Sequence, residues 1–221
     1  MRFGGGPCHH GGVNAAILDH IERRRLALAD ALDALGPDDW GTPSWCSGWS
    51  VHLVVAHLVD LAEGEMAPML WDLARSGFRL DPTLDRRARI AAAASPAELI
   101  ARLRLAARGT FRAPGAPLTA VLGEVLVHGA DSLGPLDREI DVPPDAVEPV
   151  LPVYRRLGRF GFHARGTNRV RLVATDCGWS DGSGPEVRGR AIDLLLVLAN
   201  RGPALARLDG PGVEVLRDAT R

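Results

Sequence analysis

Apolar residues recur with helical spacing from near the start of the chain. Between Asn14 and Leu35 they fall on one stripe of a helical wheel, which consists of Ile17, Leu18, Ile21, Leu28, Leu32 and Leu35. Asn14 is a good N-cap residue, and Gly36 followed by Pro37 would end the helix. The pattern therefore predicts a first helix over 14–35. The glycine-rich residues 1–13 before it are expected to form a flexible tail.

A second helix is predicted to begin after Ser50, a residue that can cap it, and to run to about Met66. Pro68 is expected to end or kink this helix, because proline lacks the backbone N–H that a helix interior requires. The stripe that would face the core contains a histidine among apolar residues, namely Val54, His57, Leu58 and Leu61.

Asp81 and Pro82 predict a turn, and the next helix start is marked by Ser95, Pro96 and Glu98, a cap, a first-turn proline and a capping-box glutamate. Further helices are predicted over about Ser95–Arg108, Leu118–Leu133 and Asp145–His163. Up to residue 165 the chain is therefore predicted to be a helical bundle.

After Gly166 the pattern changes to short apolar segments. Strands are predicted at Val170–Ala174, Glu186–Arg188 and Val213–Leu216, with a turn at Trp179–Gly184 and an apolar helix at Arg190–Ala199. The sequence thus predicts three parts: a tail over 1–13, a helical bundle over 14–165 and a small α+β domain over 166–221.

Composition restricts the classes of function. The 221 residues carry a net charge of −1, so we expect no nucleic-acid partner. All 26 basic residues are arginine, which excludes a catalytic lysine. Three cysteines without a CxxC pair indicate reduced thiols. Neither a signal peptide nor a membrane span is recognisable, and we expect a cytoplasmic protein that does not bind membranes.

Three residues form a candidate metal site. Glu124 and His128 are four residues apart, so they share one face of the predicted fourth helix. His57 lies on the inward stripe of another helix, from which a bundle can direct it to the same point. Two imidazoles and one carboxylate leave coordination positions open, as catalytic divalent-metal sites do.

Other interpretations of these residues stay open at this stage. His57 alone is also typical of a hydrogen-bonded core histidine, and the Glu124–His128 pair is also typical of a solvated helix surface. Asp131, three residues after His128, is a candidate hydrogen-bond partner for that imidazole or a cap of the helix end. His52 is expected on another face and is not proposed as a ligand.

The cysteines and the remaining histidines carry weaker signals. Cys46 precedes the second helix, where a thiol pKa can be lowered, but a small buried loop residue explains it equally well. Cys8, His9 and His10 lie together in the predicted tail, and their role is open.

Three segments resemble the mycothiol-dependent maleylpyruvate isomerase family. PSWCSGWSVHLVVAHL (43–58) is similar to the family's Cys-x-Gly-Trp and Ala-His-Leu pattern. GEVLVHGADSLGPLDREIDVPPDAV (123–147) is similar to its Glu-xxx-Val-His-Gly-x-Asp helix with the turns that follow. VRLVATDCGWSDGSGPEVRGRAIDLLLVLANRG (170–202) is similar to its small C-terminal domain. The three matches occur in the family's order and cover much of the chain.

The resemblance implies a mainly α fold, a DinB-like four-helix bundle followed by a small α+β domain similar to sterol-carrier folds. It implies a divalent metal, usually zinc, held by the residues at His57, Glu124 and His128, and mycothiol as thiol cofactor. The family's reaction is cis–trans isomerisation of maleylpyruvate, in which a metal-stabilised thiolate adds to the double bond, the single bond rotates and the thiolate leaves.

The family also uses an arginine of the C-terminal domain, for which Arg201 and Arg188 are the candidates, because arginine pairs well with carboxylates. Two alternatives to an isomerase remain: a mycothiol S-transferase for detoxification, and a non-catalytic, metal-stabilised ligand-binding module. The partners implied are a small-molecule thiol and an electrophilic substrate, and a monomer or a small homo-oligomer is expected.

Overall fold

The computed structural model describes residues 9–112, 116–159 and 165–219. Its first helix, α1, spans His9–Asp33 and so begins before the predicted Asn14. The predicted tail is therefore helical from His9 onward, and the rest of it, with Cys8, lies outside the described residues. Within these residues, no helix is long and apolar enough to cross a membrane.

Four helices form the bundle: α1, α2 (Val51–Glu63), α5 (Pro96–Leu105) and α6 (Leu118–Leu133). The side chain of Ser50 accepts the Leu53 N–H at the start of α2, and Ser95 accepts the Glu98 N–H at the start of α5. The predicted bounds of α6 are confirmed. A hydrophobic cluster at the centre of the bundle contains Leu28, Leu58, Leu99, Leu103 and Leu133.

Two further helices were not predicted. They are α3 (Met66–Arg75) and α4 (Leu80–Ala91), and α4 packs on α2. Pro68 and Pro82 are each the third residue of their helix. The first turn of a helix has backbone N–H groups without intrahelical acceptors, so a proline there removes no helical hydrogen bond. The expected turn at Asp81–Pro82 is therefore wrong.

The predicted fifth helix is interrupted. The structure has a short helix α7 (Pro144–Val147) followed by α8 (Leu151–Arg159), and the predicted end at His163 lies outside the described residues.

The C-terminal part contains a three-stranded sheet in the order β2-β1-β3. Strand β1 (Arg171–Ala174) pairs antiparallel with β2 (Ser180–Asp181) and parallel with β3 (Glu186–Gly189). Leu172 pairs with Asp181 on one side and with Val187 on the other. Strand β2 lies where only a turn was expected.

The sheet packs against the apolar helix α9 (Ala191–Leu198), and the chain continues into helix α10 (Gly212–Ala219). The strand predicted at Val213–Leu216 is therefore wrong, since these residues belong to α10. One hydrophobic cluster joins the bundle to this part and includes Ile21, Leu126, Tyr154, Leu172 and Leu195. The fold predicted from the sequence, mainly α with a small C-terminal α+β part, is confirmed.

Candidate metal centre

Helices α2 and α6 bring three side chains together. His57 lies in the middle of α2, and its side chain is 3% exposed. Glu124 and His128 occupy successive turns of α6 and face α2. The Glu124 Oε2 atom lies 3.2 Å from His128 Nε2 and 3.8 Å from His57 Nε2. The three donor atoms lie within 4.8 Å of one another.

The charges of this His57–Glu124–His128 cluster are strongly coupled. Burial lowers the pKa of His57 and outweighs the opposite effect of Glu124. Burial also disfavours the charged form of His128, but its hydrogen bonds with Asp131 and Glu124 prevail and raise its pKa to about 9. Although burial opposes the ionisation of Glu124, the two histidines hold its pKa well below the usual range. Without a metal, these effects favour a neutral His57, an ionised Glu124 and a protonated His128.

A chain of hydrogen bonds extends from His128 to the C-terminal part of the protein. His128 Nδ1 lies 2.9 Å from Asp131 Oδ2, and the Asp131 side chain is completely buried. Arg201 donates from Nε to Asp131 Oδ1 at 2.8 Å and from Nη2 to Asp131 Oδ2 at 2.6 Å. This bidentate pairing fixes the carboxylate that orients the His128 ring. The expectation that Asp131 bonds the His128 imidazole is confirmed.

The two candidate arginines differ in their surroundings. Arg201 follows α9 and reaches the cluster through Asp131, while its Nη1 donates to the carbonyl of Ala199 at 2.6 Å. Arg188 lies on β3, where it pairs with Glu186 of the same strand at 3.3 Å. The structure therefore brings Arg201, and not Arg188, into the neighbourhood of the metal-ligand candidates.

Trp49 forms one wall of the cluster, a role that the sequence analysis did not assign to it. Its ring centroid lies 5.0 Å from that of His57, edge to face, and 6.4 Å from that of His128. The indole Nε1 donates to Asp85 of α4 at 3.0 Å. The position of Trp49, directly before the cap of the helix that carries His57, is the sequence signal that could have indicated this contact.

The Cys46 thiol lies close to the same centre. A sulfur ligand from Cys46 and ligand atoms of His128 and Asp131 lie within 4.8 Å of one another, which makes a second possible ligand set sharing His128. Burial raises the pKa of the Cys46 thiol, partly opposed by Arg201, so the lowered pKa considered for a residue near a helix start is not found. The three-residue cluster has the stronger donors for a divalent ion at neutral pH.

His52 lies outside the cluster, as expected. Its Nε2 is 3.0 Å from the carbonyl oxygen of Ala92, and its ring packs edge to face against Trp40. His9 and His10 are the first two residues of α1.

The geometry fits a divalent metal with an open coordination position. Donors that bind zinc at about 2.0–2.2 Å in a tetrahedral site lie roughly 3.4 Å from one another. The separations of 3.2 and 3.8 Å from Glu124 Oε2 are close to this value. Among the described residues, the buried Nδ1 of His57 has no hydrogen-bond partner, so its ring is positioned by packing against Trp49.

Comparisons with known proteins identify a family and a shared fold. A family model described as the mycothiol maleylpyruvate isomerase N-terminal domain matches residues 21–132, half of the chain. The crystal structure of the mycothiol-dependent maleylpyruvate isomerase is similar, with a TM-score of 0.58 at 16% identity over 89% of this chain and 92% of that one. A histidine-to-alanine mutant of that isomerase matches with a TM-score of 0.56, at the same identity and coverage.

No curated protein sequence matches the chain significantly. At 16% identity, the two crystal structures show a shared fold and nothing further. The family model is the more specific finding, because it spans His57, Glu124 and His128 as well as Asp131. The resemblance inferred from the sequence is thereby confirmed, and the chain belongs to the mycothiol maleylpyruvate isomerase N-terminal domain family.

Proposed function

We propose that this protein is a mycothiol-dependent metalloenzyme that activates a thiol for reaction with an electrophilic substrate. The observation that carries the proposal is the convergence of His57, Glu124 and His128 from two helices on one point. Family membership supports mycothiol as the thiol, since the matching family is described by that cofactor.

In this proposal His57, Glu124 and His128 hold a divalent metal, with zinc the first choice for two imidazoles and a carboxylate. When bound, the metal would lower the pKa of the cofactor thiol and so favour the thiolate near neutral pH. Trp49 would exclude water from one side of the site. The half-exposed side of the cluster is that of Glu124, whose side chain is 41% exposed, so cofactor and substrate would enter there.

We assign Arg201 a positioning role. Its guanidinium is already engaged by both oxygens of Asp131 and by the Ala199 carbonyl, so it acts on the site through Asp131 and His128. The original expectation, in which Arg201 or Arg188 binds a substrate carboxylate, stays a prediction. In this role the C-terminal part of the protein, through Arg201, holds the Asp131 carboxylate that orients the proposed ligand His128.

The same site serves either of two reactions. An isomerase releases the thiol again after rotation about the single bond that thiolate addition creates. An S-transferase instead keeps the thiol in its product. The metal, the thiolate and the positioning residues would be common to both. Maleylpyruvate isomerisation is the lead proposal, conjugation of other electrophiles is the second, and both place the enzyme in the cytoplasm with its thiol.

The test combines metal analysis of the purified protein with a measurement of how much mycothiol is consumed per product. Purified protein should contain about one divalent metal per chain, and turnover of maleylpyruvate should need mycothiol only in catalytic amounts. Loss of one mycothiol per product formed would instead identify an S-transferase. The variant His57→Ala should lose metal and turnover together, while His52→Ala, on the same helix but outside the cluster, is the matched control. A metal-free protein that remained active would contradict the proposal.

A further inference from the structure

A second concave site lies on the side of α6 that faces away from the His57–Glu124–His128 cluster. It is a cleft of about 460 Å³ between the bundle and the C-terminal part of the protein. At about 100° per residue, the α6 residues Leu126, Gly129 and Leu133 point away from both Glu124 and His128. All three line the cleft. Among the described residues that line it, none belongs to the cluster.

The walls of this α6 cleft are largely apolar. Besides the face of α6, the apolar lining comes from α1, from the loop after α6 and from α9, with Leu28, Ile140, Val142, Ile192 and Leu196. Its volume falls in the range of about 300–1,000 Å³ that small-molecule sites occupy. Small residues on α6 leave space in the cleft. A Cβ atom on Gly129, for example, would contact only Leu28, at 3.8 Å.

Trp45 separates the α6 cleft from the metal-ligand candidates. The indole packs over Gly134, lines the cleft and lies under the guanidinium of Arg207, 5.5 Å from the ring centroid. The Trp45 backbone N–H donates to the carbonyl of Asp131 at 3.3 Å, and the next residue, Cys46, lies on the side of His128. The cleft and the cluster are therefore distinct sites.

Four of the charged groups around the cleft neutralise one another. Arg190 and Arg207 both pair with the buried carboxylate of Asp193 and with Glu139. Asp176 lies beside the N-terminus of α9, where its side chain accepts the Ala191 N–H at 2.8 Å. These groups need no ligand to satisfy them.

Arg24 is the exception. Within the described part of the chain, no carboxylate lies within 4 Å of its guanidinium, and its Nε is buried without a hydrogen-bond partner. Its Nη1 donates to the backbone carbonyl of Asp141 at 2.6 Å. Burial lowers the pKa of Arg24, while the more distant carboxylates of Asp141 and Asp145 oppose this effect. A partly desolvated guanidinium at the edge of an apolar cleft favours an anionic ligand group.

We propose that the α6 cleft binds a small organic carboxylate with an apolar body, its carboxylate at Arg24 and its apolar part against Leu126, Ile192 and Leu196. Charge complementarity selects the carboxylate, since Arg24 is the one of the four arginines lining the cleft that has no carboxylate within 4 Å among the described residues. The inference does not depend on the metal chemistry, because the two sites lie on opposite faces of α6.

Decanoate and decanol, titrated into the intact protein by calorimetry, test the proposal. Decanoate should bind once per chain and more tightly than decanol, which has the same apolar body and no charge. Arg24→Met should weaken decanoate about tenfold or more, to the level of decanol, and leave decanol unchanged. Ile192→Trp should weaken both by filling the cleft. The controls Arg79→Met and Ile90→Trp alter exposed residues elsewhere and should change neither.

The result that would overturn the proposal is equally definite. If decanoate binds as tightly to Arg24→Met as to the unaltered protein, or no more tightly than decanol, Arg24 does not select a carboxylate. Loss of decanoate binding in His128→Ala would show that the probe occupies the His57–Glu124–His128 cluster instead. Should Ile192→Trp fail to fold, Arg24→Met still decides, because it keeps the side-chain volume of the cleft edge.

Discussion

The two faces of α6 do different things with the same backbone. One face carries Glu124, His128 and Asp131, whose side chains are fixed by hydrogen bonds that extend to Arg201. The opposite face carries small and aliphatic residues that leave a cleft. The metal face depends on charge and on hydrogen-bond geometry, whereas the cleft face depends on the space that short side chains leave open. The helix diameter of about 10 Å keeps the two from interfering directly.

The largest effect is expected from the metal face. Glu124→Gln keeps the side-chain size but removes the negative charge between the two histidines. We expect most of the metal to be lost and thiol-dependent turnover to fall by roughly a hundredfold or more, because a carboxylate ligand becomes a neutral amide. Metal content per chain and turnover with mycothiol are the measurements. His52→Ala, which leaves the cluster intact, should retain both, and full metal content in Glu124→Gln would refute the ligand assignment.

The Arg201–Asp131–His128 chain should give the next largest effect. Asp131→Asn weakens the bond that orients His128, and we expect the affinity for metal to fall about 10- to 100-fold. Arg201→Met leaves the buried Asp131 carboxylate with the His128 imidazole as its remaining side-chain partner, and should reduce the free energy of unfolding by about 1–3 kcal/mol.

A double-mutant cycle makes this prediction specific. The combined variant Asp131→Asn/Arg201→Met should be more stable than Arg201→Met alone, since the buried carboxylate that has lost its bidentate partner is then gone. Arg104→Met, which breaks the exposed ion pairs of Arg104 with Asp30 and Asp33 of α1, should lower the stability by no more than about 1 kcal/mol. Additive effects of the two site substitutions would mean that the arginine does not act through Asp131.

Sequence patterns predicted α6 and the positions on it more successfully than the rest of the chain. The 3.6-residue period places Glu124 and His128 on one face without any tertiary information. The pairing of Asp131 with Arg201 could not be predicted, since 70 residues separate the two and only tertiary packing joins them. The place of Trp49 before the cap of α2 indicates that it lies near His57, but only tertiary packing sets its ring against both histidines.

Helices α3, α4 and α10 were missed for physical reasons. In α3 and α4 a proline at the third position, Pro68 or Pro82, favours a helix end or a turn, and this signal outweighs the helical spacing of the apolar residues of α3. Val213 and Val215 favour a strand by local preference, but tertiary contacts prevail, as Gly212 lies directly against the backbone of Pro185 and Glu186. Gly212 and the residues after it are therefore held as a helix beside β3.

The affinity of the metal face for zinc should depend on pH. In metal-free protein the pKa of His128 is about 9, raised by Asp131 and Glu124 against the effect of burial. A protonated imidazole cannot bind a metal, so binding below this pH must release one proton. The affinity for zinc should therefore rise about tenfold per pH unit from neutral pH and level off near pH 9. Competition with a coloured chelator measures it, and a flat profile would contradict the assignment.

Two glycines of α6 provide the smallest effects and the most direct comparison of local packing. On Gly129 a Cβ would lie 3.8 Å from Leu28, an ordinary contact. Gly129→Ala should therefore increase the free energy of unfolding by about 0.5–1 kcal/mol, since alanine loses less backbone entropy than glycine in a helix.

On Gly123 the same Cβ would meet the Tyr154 ring at 2.4 Å, within a buried contact. Gly123→Ala should lower the stability by about 1–3 kcal/mol despite the same gain in helix propensity. Urea unfolding of the two variants checks the difference in sign. Equal effects at both positions would mean that helix propensity alone decides, and that α6 does not pack closely on α8.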